Sequence, residues 1–207
     1  MQHQDALQKI NRKYRDKVRE MYGHFLCGPH CNIDLAQKVY IIPQERCVNT
    51  LSDIANNRGK CVYNSGKIFL RENAFFQNGC YNEHLLVHEY IHRLSSNRKR
   101  NGLFPVWGSG FDFKYKYADY TILNELITEW VTFSITNCSE RTPYQFELGL
   151  VEGIKKSLGN DKFLQLLNAY FCSDLQVLDT LLFSIYGTNL YFEIDNINKG
   201  FHNKYGL

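Results

Sequence analysis

Apolar positions along this chain follow two rhythms that change over near residue 82. Before it, apolar runs are short and bounded by turn-forming residues; after it, they are longer and spaced for helices. Residues 3–26 read as a polar helix, and Lys38-Val39-Tyr40-Ile41-Ile42-Pro43 as a strand. A short helix is expected over 50–57, starting near Ser52 or Asp53. Cys61-Val62-Tyr63 and Lys67-Ile68-Phe69-Leu70-Arg71 read as strands joined by the turn Asn64-Ser65-Gly66. A helix over about 82–95 begins at Asn82 or Tyr81, after the Gly79 break, and takes its apolar face from Leu85, Leu86, Ile91 and Leu94. The alternation ending at Tyr117 predicts a strand or β-arm within 110–117. Residues 120–133 suit a largely buried helix. Pro143 suits the first turn of another that ends near Gly159, and helices follow at about 161–172 and 174–186. Residues 189–199 fit neither rhythm. The pattern predicts an α+β fold: a small mixed sheet and one helix in residues 1–96, and a helical sub-lobe in 97–207. Neither repeats nor a linker divides the chain, so one domain over 1–207 is expected.

The helix at 82–95 carries the first candidate chemistry. His88-Glu89-Tyr90-Ile91-His92 is an HExxH motif. Four residues of α-helix turn through about 400° and rise about 6 Å, so both imidazoles leave the same face from consecutive turns. Two neutral imidazoles so placed can grip one Zn²⁺, with Glu89 beside the metal's open position as a general base. A buried helix whose histidines make ordinary hydrogen bonds is the plainer alternative.

Catalytic zinc usually takes three protein ligands. The class that draws its third ligand from six residues after the second histidine is excluded, because Arg98 stands there and Ser95 replaces the glycine three residues on. The remaining solution is a glutamate on a later helix. Glu125 and Glu129 stand four apart on one face of the 120–133 helix. Burying two like charges side by side is costly unless cations or donors meet them. Glu125 as a ligand, with Glu129 accepting the free N–H of a ligand imidazole, would meet that need, and a solvated helix edge carrying both glutamates is the plainer alternative.

His88-Glu89-x-x-His92 followed by Asn124-Glu125-Leu126-Ile127-Thr128-Glu129 resembles the gluzincin pattern of thermolysin-like metallopeptidases, HExxH then NExx(S/T)(D/E). More narrowly it is similar to small bacterial and phage zincins whose second motif reads NExxTE. A helical tail like Leu158 through Phe171 commonly follows there. The resemblance covers roughly residues 81–185, and the place of Glu125 in it rests on the local motif, not on linker length. It implies a zincin-like fold and one Zn²⁺ per chain held by His88, His92 and Glu125. It also implies Glu89 as base, Glu129 in support, and a peptide or protein as substrate. Zincins commonly bind peptide along an exposed sheet edge, and the hairpin at 61–71 is the candidate edge.

Composition narrows the partners. The chain has 207 residues, enough for a core that buries roughly 70% of the unfolded surface. A formal net charge of +3 is too small to imply nucleic acid. The basic residues Lys9, Arg12, Lys13, Arg15, Lys17 and Arg19 read as a solvated helix face, and Arg98-Lys99-Arg100 as a solvated loop. No apolar stretch approaches a membrane span and no signal-peptide core is seen, so a cytoplasmic location is expected. The seven cysteines form no regular framework and are expected to be reduced thiols. Within Cys27-Gly28-Pro29-His30-Cys31, half of a zinc or redox site stays open as an alternative.

The expected activity is peptide-bond hydrolysis. Tyr115, Tyr117 and Tyr120 are the candidates nearest in sequence for stabilising the oxyanion, but among 14 tyrosines a plain core or surface role is the favoured reading of each. His84, one turn before His88, reads as a surface or core residue within reach of the cleft. A zincin-fold interaction or regulatory module without peptidase activity is the alternative function, and the intact Glu89 speaks against it.

Overall fold

Three strands, Val39–Ile42 (β1), Gly59–Val62 (β2) and Lys67–Arg71 (β3), make the sheet on which the HExxH helix rests. The computed structural model describes residues 2–46, 58–101, 104–109, 114–115, 118–137 and 148–205, with side chains described for 3–46, 58–97, 119–137 and 148–204. The helix expected over 50–57 lies outside the described residues. The strand order is β1-β3-β2, with β1 parallel and β2 antiparallel to β3. Alternation along β3 buries Ile68 and Leu70 completely and leaves Lys67, Phe69 and Arg71 on the other face. The β2–β3 turn closes where the N–H groups of Ser65 and Gly66 both donate to the Val62 carbonyl, and Gly66 takes a left-handed φ of +63°. Tyr63 therefore belongs to the turn, not to the strand. Of the hairpin expected to offer a substrate edge, β3 is the middle strand. Among the described residues, β2 is the hairpin strand at an edge.

The first helix, α1 (Gln2–Tyr22), is amphipathic and not polar throughout. Leu7, Ile10, Tyr14, Val18 and Tyr22 recur at helical spacing and are buried, while Lys9, Arg12, Lys13 and Arg19 are exposed. After β3 come a single helical turn, α2 (Glu72–Phe75), and a small hairpin of Phe76–Gln77 (β4) and Cys80–Tyr81 (β5). Its two-residue loop is Asn78-Gly79, both at positive φ, as a tight primed turn demands. Helix α3 (Glu83–Leu94) starts where the Asn82 side chain accepts a hydrogen bond from the Leu85 N–H at 2.9 Å. From Leu86 to Leu94 every residue of α3 is buried.

The segment after α3 departs from expectation. Ser96–Asn101 (β6) and Phe104–Ser109 (β7) pair antiparallel, so the backbone of Arg98-Lys99-Arg100 is strand and not loop. Of the arm expected at 110–117, the described part is the short strand Lys114–Tyr115 (β8), paired with Ala118–Asp119 (β9). Helix α4 (Thr121–Thr136) ends at Asn137 in the left-handed conformation. Helix α5 (Leu148–Cys172) is broken at Gly159, whose φ of 73° and ψ of 168° are non-helical. The Pro143 start lies outside the described residues. Helix α6 (Leu175–Tyr186) is capped by Asp174, and α7 (Leu190–Tyr205) settles the ambiguous stretch. In α7, Leu190, Ile194, Ile197 and Phe201 share one face against the core, while the polar residues between them had blurred the period. One connected apolar cluster runs from Leu7 on α1 to Phe201 on α7, including α3 and α4. The architecture is mixed α+β with a small sheet. Among the described residues no helix is long and apolar enough to cross a membrane.

Cys27 and Cys172 form a disulfide with a Cα separation of 5.8 Å, which corrects the expectation of reduced thiols throughout. Their 145-residue sequence separation gave no local pattern to read. The bond ties the segment after α1 to the end of α5. Gly28 lies against the exit of α3, where a Cβ would stand 2.7 Å from the Ser96 carbonyl oxygen. Closing so long a loop removes much of the unfolded chain's freedom, so Cys27→Ser is expected to cost about 2–5 kcal/mol. Thermal unfolding of the wild type with and without reductant, beside the variant, checks this. Identical transitions would show that the bond constrains nothing.

Candidate metal centre

Helices α3 and α4 pack against each other, and their facing side chains build the site. His88 and His92 project from successive turns of α3 with their Nε2 atoms 3.2 Å apart. From α4, Glu125 brings Oε2 to 3.5 Å from His88 Nε2 and 3.4 Å from His92 Nε2. Bonds of about 2.0–2.1 Å to a tetrahedral ion place two ligand atoms about 3.3–3.4 Å apart. The observed triangle has that size. Two imidazole nitrogens facing each other can share one proton, yet the same carboxylate oxygen faces both; a cation satisfies all three at once. Among the described residues, this trio is the group of His, Cys, Asp and Glu side chains that converges in this way. The two histidines are buried, whereas 26% of the Glu125 side chain is exposed, which marks the open side of the site.

Glu129 lies one turn beyond Glu125 and is buried. Its Oε2 is 2.9 Å from His88 Nδ1 and its Oε1 is 2.8 Å from His84 Nε2. The contact at Nδ1 fixes the His88 ring so that Nε2 faces the triangle. The part of His84 in this arrangement went unread in the sequence. Its only signal was the four-residue step to His88, which marks a shared helix face without saying what lies across from it.

Electrostatics separate the glutamates. Burial pushes Glu125 upward, but His92 and His88 override it and hold the carboxyl well below its ordinary range. Burial likewise opposes ionisation of Glu129, and hydrogen bonds from His84 and His88 outweigh it. His88 resists charge through burial, yet its bonds to Glu125 and Glu129 push it up to about 10. Glu89 differs. Burial raises its proton affinity more than His88 and His92 lower it. One pocket thus holds two firm anions and one carboxylate inclined to take a proton, the division expected of ligand and base.

Glu89 is braced by the sheet edge. Arg71 N–H donates to the Arg58 carbonyl, making 58 and 71 a hydrogen-bonded pair; alternation then turns the N–H and C=O of Gly59 and Cys61 away from β3. The Cys61 N–H donates to the Glu89 carboxylate. At Gly59 a Cβ would lie 2.9 Å from Glu89 Oε1 and 3.0 Å from Leu70 Cδ2. Gly59→Ala is therefore expected to displace the carboxylate, lowering stability by about 1–3 kcal/mol. Thermal unfolding of the variant beside the wild type measures this, and an unchanged midpoint would show that the close contact is not tight.

The back of α3 is anchored as firmly. The Arg93 guanidinium stacks over Tyr90 at 4.5 Å and donates to the carbonyls of Gln37, Asn32 and Asp34. Ser96 Oγ donates to the His92 carbonyl at 2.6 Å. On the α4 side, Thr128 Oγ1 is 2.6 Å from Tyr170 Oη, which also receives a bond from Ser95 Oγ. These buried polar contacts hold the HExxH helix in place relative to α4 and α5.

Of the sequence candidates for an oxyanion donor, Tyr120 takes the plain core role favoured for it. It is completely buried, and its hydroxyl donates to Asp179 Oδ1 at 3.0 Å. The side chains of Tyr115 and Tyr117 lie outside the described residues. The structure instead brings Tyr63 near, its ring centroid 6.3 Å from that of His92. Cys27, bonded to Cys172, does not share a site with the exposed thiol of Cys31. No protein-family model, curated protein or solved structure matches this chain.

Proposed function

We propose that this chain is a zinc-dependent metallopeptidase of gluzincin type with a zincin-like fold, acting on a peptide or protein. The observation that carries the reading is the convergence of His88, His92 and Glu125 at zinc-ligand spacing, with Glu89 alongside. His88, His92 and Glu125 would hold the ion. When bound, zinc supplies Lewis-acid activation of water and of the scissile carbonyl. Glu89, with its raised proton affinity, takes the proton of the attacking water and delivers it to the leaving amine. Cys61 N–H holds that carboxylate in place, and Glu129 keeps His88 in the tautomer a ligand needs. The outward backbone groups of Gly59 and the Cys61 carbonyl leave β2 able to pair with an extended peptide, which favours an unfolded segment as substrate.

The test is zinc content of the purified protein, followed by cleavage of a peptide library with and without chelator. One zinc per chain and cleavage abolished by chelation are expected. Zinc without cleavage of any peptide moves the reading to an interaction module, and failure to take up metal ends it.

A further inference from the structure

The hydrogen-bond chain behind the trio extends beyond what three ligands require. Glu129 is held at both oxygens, by His88 at 2.9 Å and by His84 at 2.8 Å. His84 is gripped from behind as well, its Nδ1 3.2 Å from Thr136 Oγ1. The Thr136 hydroxyl donates to the Thr132 carbonyl at 3.0 Å, so it faces His84 with a lone pair. With Glu129 Oε1 against Nε2 and Thr136 Oγ1 against Nδ1, both nitrogens of the His84 ring have a partner and the ring is fixed in place. The His84 and Glu129 side chains are 11% and 3% exposed, so bulk water is a poor substitute for either partner.

We propose that His84 is a positioning residue that fixes Glu129, and through it the orientation of His88, and so sets the metal affinity of the site without touching the metal. This rests on the zinc reading of the trio. The geometry gives His84 one route to the metal, through the Glu129 carboxylate, so its effect must vanish when that carboxylate does.

The experiment measures Zn²⁺ affinity by chelator competition for the full chain and for His84→Ala, His84→Gln, Glu129→Gln and the His84→Ala/Glu129→Gln double variant. Circular dichroism on each checks that it is folded. Supporting partners of metal-bound histidines typically contribute 10–100-fold in affinity, and a loss of that size is expected for His84→Ala. His84→Gln, whose amide can still donate to Glu129, should lose less, and added imidazole should restore part of the loss in His84→Ala. The double variant should bind no more weakly than Glu129→Gln alone. A merely structural histidine would give losses that add and that imidazole does not reverse. Additive losses, or His84→Ala affinity within about twofold of wild type, overturn the assignment to His84 while leaving the trio intact. A wild-type protein that takes up no zinc overturns both readings together.

Discussion

Glu89→Gln is expected to keep its zinc and to lose hydrolysis by about 10²–10⁴-fold, the usual contribution of a general base. The substitution is nearly isosteric, so it fits the space bounded by Gly59 and Leu70, and its carbonyl oxygen can still accept from Cys61 N–H. What it loses is the ability to receive a proton. Burial raises the proton affinity of Glu89 above that of an ordinary carboxylate, the direction a general base would need. The measurement is turnover on a peptide that the wild type cleaves, with zinc content determined on the same preparation. Wild-type turnover in the variant would remove Glu89 from the mechanism, whereas lost zinc would recast it as a ligand. Gly59→Ala is the milder companion, because it moves the same carboxylate without changing its chemistry.

Glu125→Ala and His88→Ala are each expected to abolish stoichiometric zinc binding. Removing Glu125 leaves two imidazoles 3.2 Å apart, and two donors from one helix do not hold the ion against dialysis. Because the Glu125 side chain lies on the open side of the site, its removal opens no sealed cavity and the fold should survive. A ligand at 1,000 times its Kd stabilises the folded state by about 4 kcal/mol. Wild-type protein should therefore unfold at a higher temperature when zinc is added, and neither variant should respond. Glu129→Gln should respond at higher zinc concentrations if, as proposed, Glu129 supports a ligand and is not one. Zinc-dependent stabilisation that persists in Glu125→Ala would place the third donor elsewhere.

Much of the fold could be read from local pattern because local physics governs it. Asn82 caps a helix, Gly66 permits a left-handed turn, and the alternation Lys67-Ile68-Phe69-Leu70-Arg71 marks a strand with one buried face. The small hairpin at 76–81 was also written in its Asn78-Gly79 turn, a signal taken only as a break before α3. The hairpin of β6 and β7 was harder to see. Consecutive basic residues in β6 suggest solvent, and strand pairing there depends on a partner supplied by β7.

Sequence spacing was enough to put His88, Glu89 and His92 on one helix face, and Glu125 and Glu129 on another, because the pitch of an α-helix is a property of the backbone. Whether those faces meet depends on how α3 and α4 pack, which involves residues far apart along the chain. The same holds for His84 against Glu129, for Cys61 N–H against Glu89, for Tyr120 spent on Asp179, and for Cys27 bonded to Cys172. Each joins positions that no local period relates, so their pairing came from packing the core.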